Sequence, residues 1–125
     1  MWHMHIDGAF SSEGNGVGIV LCSHVGNIHG FSYILEFACT NNITEFEALI
    51  LGIENYFNLR CYHLSVFGDS ELIINLVKRI YTPSNKILKR YTQAVWQLIS
   101  NILSFNITLV MFHNLVEDHY YAENR

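Results

Sequence analysis

Four acidic residues stand where a folded chain could bring them together: Asp7, Glu45, Asp69 and Asp118. Asp7 closes an alternating stretch at the amino end, and Asp69 follows the short apolar run Leu64 to Phe67. Glu45 lies early in an amphipathic segment, off its apolar stripe, and Asp118 lies near the start of a final one. If the strands ending at Asp7 and Asp69 are neighbours, their carboxylates meet at one end of a sheet, where α/β proteins place their chemistry. Carboxylates gathered in one place repel and cost stability unless cations neutralise them, and hard divalent ions such as Mg²⁺ favour oxygen ligands. The pattern points to a metal site. A competing metal chemistry comes from His3, His5 and Asp7, which alternate on one strand face, since H-x-H-x-D can hold zinc. No second paired-histidine motif supplies further ligands.

The elements that must position these residues follow from apolar periodicity. Trp2, Met4 and Ile6 alternate with His3, His5 and Asp7, which predicts a first strand over Trp2 to Ile6. Ser11 to Gly16 is a glycine- and serine-rich turn, Val17 to Leu21 a second strand in a hairpin with the first, and Gly30 to Phe37 a third. Ile43, Phe46, Ile50, Ile53 and Phe57 recur at helical spacing. Leu64 to Phe67 is a buried fourth strand. A second helix runs through Leu72, Ile73, Leu76, Val77 and Ile80 and is stopped by Pro83, and a third spans about Asn85 to Leu103. Ile107 to Phe112 is a fifth strand, and Glu117 to Asn124 reads as the start of a last helix cut off by the chain end. Three strands in a meander followed by strands reached through helices imply an α/β domain, a mixed five-stranded sheet flanked by helices.

Composition bounds the rest. The 125 residues, half of them hydrophobic, suffice for one packed domain over 1–125 and not for two. No apolar run is long enough to span a bilayer, and Met1 to Phe10 lack the basic and apolar regions of a secretory signal, so a soluble protein of the nucleus or cytoplasm is expected, with no membrane partner. Cys22, Cys39 and Cys61 form no C-x-x-C pair and fit a reducing compartment as small apolar residues. The net charge of −4 opposes polyanion binding, but five of the seven Lys and Arg residues, Lys78, Arg79, Lys86, Lys89 and Arg90, fall in one short stretch, a candidate local basic patch.

Several motifs then carry a resemblance. Asp7-Gly8-Ala9, Glu13-Gly14-Asn15-Gly16 leading to Gly18-Ile19-Val20-Leu21, Thr40-Asn41-Asn42 with Glu45-Phe46-Glu47-Ala48-Leu49, and Gly68-Asp69-Ser70-Glu71-Leu72-Ile73 occur in the order and spacing of ribonuclease H type 1 domains. The nearest look is to the ribonuclease H of plant retrotransposon polyproteins. The resemblance implies a ribonuclease H-like fold, two Mg²⁺ ions (or Mn²⁺) and hydrolysis of the RNA strand of an RNA/DNA hybrid. It also implies a context beside reverse transcriptase and integrase. Asp7, Glu45 and Asp69 correspond to three of the family's four metal-binding carboxylates. By the same resemblance Asp7 and Asp69 bridge or flank the metals, Glu45 holds the ion beside the leaving 3′-oxygen, and a fourth carboxylate holds the one that activates water. Asp118, four residues after Asn114, has the family's spacing for that fourth group, although Met111-Phe112-His113 replaces the usual Pro-Arg-Glu; a gap-free alignment from the chain end instead selects Glu123.

Choosing RNA over DNA requires contacts with 2′-hydroxyls. Asn41 and Asn42, just before Glu45, are candidates to read them, with Gly8 and Ser70 in the neighbouring motifs also expected at the nucleic acid. Lys78 to Arg90 would hold the DNA strand's phosphates. His113 or His119 is a candidate for protonating the leaving group. Structural alternatives stand beside each. Asn42 with Glu45 has the form of a capping box, Asp69-Ser70 of a helix cap, Asp7-Gly8 of a turn, Glu117-Asp118 of acidic residues favouring a helix start, and the basic stretch of a solvated helix face. Two further functional readings are an impaired retroelement remnant that keeps the fold and weak nucleic-acid binding, and a protein-interaction domain on the same scaffold.

Overall fold

The computed structural model of the chain describes residues 2–11, 14–35, 40–59 and 62–110. In chain order the elements are β1 (Trp2–Ser11), β2 (Gly14–Cys22), β3 (Ile28–Leu35), α1 (Asn41–Phe57), β4 (His63–Gly68), α2 (Glu71–Val77), α3 (Lys86–Ile99) and β5 (Ser104–Leu109). They build one five-stranded sheet in the order β3-β2-β1-β4-β5. β1 pairs antiparallel with β2, and β2 with β3, whereas β1, β4 and β5 run parallel. The antiparallel half needs only tight turns, and the parallel half needs the crossovers that α1 and then α2 with α3 supply. The mixed sheet flanked by helices is as the sequence implied.

Alternation sets the sheet's faces. Met4 and Ile6 of β1, Val17, Ile19 and Leu21 of β2, and Leu64 and Val66 of β4 are buried in one cluster with Phe46, Leu49 and Ile53 of α1, Ile73 and Leu76 of α2, and Leu88 and Val95 of α3. Gly52 lets α1 lie close against β1. A Cβ there would fall 2.9 Å from Met4 Cε and 3.3 Å from Ile19 Cγ2, with Met4 Sδ nearer still. On the other face, His5 stacks on Phe67 and His3 meets the same ring edge-on.

The element ends differ from expectation in ways that local chemistry explains. β1 and β2 are longer than expected, because the glycine-rich segment read as a loop continues the ladder as far as the Ser11–Gly14 pair. β3 begins two residues earlier, and β5 begins at Ser104 rather than Ile107. The helix α2 stops at Val77, well before Pro83. Its cap Lys78 is followed by Arg79 at φ 66, and the backbone N–H groups of Ile80 and Tyr81 donate to Asn75 O at 2.8 and 3.0 Å. A left-handed residue after the helix, with amides folded back on its last carbonyls, ends it without glycine or proline. The cap of α1 is also corrected. Thr40, not Asn42, is the N-cap, its hydroxyl accepting from Ile43 N at 3.3 Å, so Asn42 and Glu45 do not form a capping box and both lie within the helix.

Candidate metal centre

β1 and β4 are hydrogen-bonded neighbours whose register pairs His5 with Phe67, so Asp7 and Asp69 each lie two residues further toward the same end of the sheet. The backbone of β1 runs on past this point in the ladder with β2, where Asp7 pairs with Gly18. α1 crosses that end through its first turns. Its seat on β1 and β2, drawn in at Gly52, buries Thr44, Glu45 and Phe46 together. One carboxylate oxygen from each of Asp7, Glu45 and Asp69 lies within 4.8 Å of the others. Asp7 and Asp69 are exposed and Glu45 is 5% exposed. The cluster therefore has a buried wall and an open side.

The donor set fits a hard divalent cation. All three ligands are carboxylate oxygens, with no thiolate and no imidazole, the chemistry preferred by Mg²⁺, Mn²⁺ or Ca²⁺ over zinc. Burying a carboxylate beside two others is costly without a compensating charge, and a divalent ion supplies one. The His3-His5-Asp7 zinc alternative does not assemble among the described residues, since only Asp7 of that motif joins a metal-capable cluster. His5 is instead buried against Phe67.

Around the centre, Asn41 and Asn42 precede Glu45 by four and three residues in α1, spacings that share a helix side. Asn41 is exposed and Asn42 half-buried. Ser70 is the N-cap of α2, its hydroxyl accepting from Ile73 N at 3.4 Å, while Asp69 is not the capping residue. Gly8 lies in β1, opposite Val17 of β2. Beside Asp7 a shallow cavity of about 260 Å³ is lined by His5, Gly18, Val20, Gly30 and Ser32. Val110, just after β5, donates its N–H to Gly68 O at 2.9 Å, so the chain leaves the sheet next to Asp69. Asp118 and its alternative Glu123, with Asn114, His113, His119 and the expected last helix, lie outside the described residues, as do Cys39 and Cys61. Cys22, in β2, is buried.

The basic stretch stands apart from the acidic cluster. Lys78, Arg79, Lys86, Lys89 and Arg90 are all exposed, and none makes an ion pair with a carboxylate among the described residues. Lys78 follows the seven residues of α2, roughly 10 Å along that helix at 1.5 Å per residue. Lys86, Lys89 and Arg90 lie on one side of the first turns of α3. The Arg79 guanidinium sits 3.7 Å above the centre of the Trp96 ring, and the indole N–H of Trp96 donates to Val77 O at 3.1 Å. Tyr81 ties the linker back to α2 by donating to Glu71 at 2.9 Å, a hydrogen bond that raises its phenol above the ordinary value. Sequence reasoning missed Trp96, which belongs to no motif in the sequence.

The family model described as reverse transcriptase-like matches residues 5–115. No curated protein sequence matches the chain. Among solved structures, the ribonuclease H1 of the halophilic archaeon Halobacterium salinarum superposes with a TM-score of 0.81 at 26% identity, covering 87% of this chain and 84% of that one. The LC11 ribonuclease H1, a protein from compost metagenome solved in complex with an RNA/DNA hybrid, gives 0.78 at 22% identity, over 88% and 85% of the two chains. The N-terminal ribonuclease H domain of a Mycobacterium tuberculosis protein gives 0.76 at 19%, over 87% and 86%. Among the described residues, no helix is long and apolar enough to cross a membrane. With nearly the whole described chain inside that family match and a ribonuclease H1-like fold around a three-carboxylate cluster able to coordinate a divalent ion, the chain belongs to the reverse transcriptase-like family.

Proposed function

We propose that this chain, acting as one domain over 1–125, is a metal-dependent endonuclease that hydrolyses the RNA strand of RNA/DNA hybrids. The observation that carries the reading is the convergence of Asp7, Glu45 and Asp69 within 4.8 Å at the shared end of β1 and β4. Asp7, Glu45 and Asp69 would hold two Mg²⁺ ions, or Mn²⁺, and these would supply a nucleophilic water and charge stabilisation for the leaving oxyanion. Asp7 and Asp69 hold the open side of the centre, where a phosphodiester can enter, and Glu45 anchors it from the buried helix. Asp118 completes the ligand set, since the chain leaves β5 beside Asp69. Asn41, Asn42, Gly8 and Ser70 meet the hybrid next to the scissile phosphate, and the two amides distinguish RNA by its 2′-hydroxyls. Lys78, Arg79, Lys86, Lys89 and Arg90 hold the phosphates of the DNA strand. The ordered motifs carry the reading of an origin in a plant retroelement polyprotein, acting in nucleus or cytoplasm, and the reverse transcriptase-like family match is compatible with the polyprotein context.

Purified protein incubated with a hybrid labelled on its RNA strand should cut that strand with Mg²⁺ and stop with EDTA, leaving the DNA strand intact. No cleavage with either Mg²⁺ or Mn²⁺, in a folded protein that still binds the hybrid, favours the impaired remnant. One sequence observation supports that second reading: Met111-Phe112-His113 stands where the family has Pro-Arg-Glu.

A further inference from the structure

Tyr91 reaches across from α3 and holds two consecutive residues of α1. Its ring stacks on Phe46, with centroids 5.4 Å apart and planes 17° from parallel, and its hydroxyl donates to Glu47 Oε1 at 2.6 Å. The residue just before this pair is Glu45, the buried member of the carboxylate cluster. Successive residues of a helix point about 100° apart, so Glu45 turns to the cluster, Phe46 to the core and Glu47 to α3. Apolar packing brings α1 close to the sheet but is non-directional, whereas a hydrogen bond fixes both a distance and an angle. A short bond from a hydroxyl to a carboxylate is of the strong, charge-assisted kind. In the last turn of α1, Asn55 Nδ2 donates to the hydroxyl of Tyr33 in β3 at 2.8 Å. Two tyrosines thus tether the helix, and Tyr91 is the one beside a metal-capable carboxylate.

We infer that Tyr91 is a positioning residue for the metal centre. By holding Phe46 and Glu47 it fixes the roll of α1 about its own axis at the turn that carries Glu45, and so sets where the Glu45 carboxylate stands relative to Asp7 and Asp69. The inference rests on the reading of those three carboxylates as a divalent-cation site. Without the Tyr91 hydroxyl, α1 keeps its apolar seat and its cap at Thr40, but Glu45 gains other placements. A ligand that must be brought into place each time an ion is taken up weakens the binding of that ion.

Binding of Mn²⁺ to the full chain without nucleic acid, read from the electron paramagnetic resonance of the unbound ion, separates placement from stability. Tyr91→Phe keeps the stacked ring and removes one oxygen. It should raise the Mn²⁺ Kd on the order of fivefold, below the roughly 10- to 100-fold typical of a partner bonded directly to a ligand. Tyr33→Phe makes the same change at the other end of α1 and should lower the melting temperature while leaving Kd as in the parent. At position 47, Glu47→Gln and Glu47→Ala lose the same charge, but only glutamine keeps an acceptor for Tyr91. The alanine variant should therefore bind Mn²⁺ more weakly than the glutamine variant, and this pair decides the matter if Tyr91→Phe does not fold. Equal Kd values for Tyr91→Phe and Tyr33→Phe, or for the two variants at position 47, overturn the positioning role and leave the metal centre standing. A parent chain that takes up no Mn²⁺ overturns both.

Discussion

The acidic centre and the basic stretch are built by opposite means. Asp7, Glu45 and Asp69 come from positions 38 and 24 residues apart and meet only because β1 and β4 pair and α1 lies across their shared end. The five cations are near neighbours in sequence, and their arrangement depends on one helix end, one left-handed residue and one indole. A centre assembled by topology should be lost by changes that move elements without touching a ligand. A stretch assembled locally should lose function without losing the fold, and the two should separate under mutation.

The largest separation is expected at Asp69. Asp69→Asn should reduce hybrid cleavage by about 100-fold or more, since at about 1.4 kcal/mol per tenfold the loss of a metal ligand removes several kcal/mol of charge stabilisation. Removing one of three mutually repelling carboxylates should leave or raise the melting temperature measured in EDTA. Mg²⁺ should raise the parent's melting temperature, because a ligand bound only to the native state stabilises it, and should raise the variant's less. A variant that cuts at the parent rate breaks the metal assignment, and one that unfolds in EDTA makes Asp69 a structural residue.

Next comes the basic stretch. Replacing Lys78, Arg79, Lys86, Lys89 and Arg90 by Gln should lower the salt slope of log K by about 0.7 to 0.9 for each true phosphate contact and weaken hybrid binding accordingly. All five are exposed, so the melting temperature should change little. Unchanged affinity and slope would reduce the stretch to a solvated face.

How much of this was legible in sequence follows the same division. The basic stretch is visible by inspection because it is contiguous, yet its one ordered feature, Arg79 over Trp96, is not. Nothing in Val77-Lys78-Arg79 announces a left-handed residue where glycine is usual, and Pro83 offered a more conventional stop further on. The acidic centre is invisible as a contiguous motif. Asp7 and Asp69 become a pair only once alternation in β1 and the apolar run of β4 are read as neighbouring strands, which the ordered family motifs made possible. Glu45 illustrates the limit. Its spacing from Asn42 matches a capping box, and only the actual cap, Thr40, puts it more than a turn into the helix, beyond capping reach and free to join the carboxylates. The strand ends near Ser11 and Gly14 are hidden in the sequence, because glycine and serine favour turns by propensity while pairing across the hairpin overrides it.

Gly52 sharpens the comparison from the side of topology. It holds no ligand and lies far along α1 from Glu45, but it sets how closely the helix approaches Met4 and Ile19. Gly52→Ala adds a methyl where Met4, fully buried, has little room to withdraw. The helix propensity gain of about 1 kcal/mol offsets part of an overpacking cost of about 1 to 3 kcal/mol. Net destabilisation of about 1 kcal/mol is expected by chemical denaturation, and cleavage should fall with it as α1 shifts Glu45 away from Asp7 and Asp69. Shortening the partner by Met4→Val should restore part of both losses in the double variant. Stability lost with cleavage unchanged would show that the centre tolerates movement of its helix.

The smallest effect is at Arg79, where two terms of similar size oppose each other. Replacing it by glycine removes the left-handed penalty of about 1 kcal/mol but also removes a cation–π contact of about 0.5 to 1 kcal/mol and loosens the unfolded chain. Arg79→Gly should therefore melt within a degree or two of the parent. Arg79→Ala loses the same contact and keeps the strain, so it should be less stable than the glycine variant by up to about 1 kcal/mol. The informative quantity is the difference between the two variants, because the lost guanidinium cancels and only the backbone term remains. Hybrid affinity should behave differently, falling alike in both, since each removes the same phosphate contact whatever the backbone prefers. At Gly52 stability and function move together because an element is displaced; at Arg79 they part because the fold does not depend on the group that binds. A glycine variant no more stable than alanine would mean that the turn after α2 is not left-handed in solution, and Arg79 would then lose the backbone constraint that holds it over Trp96.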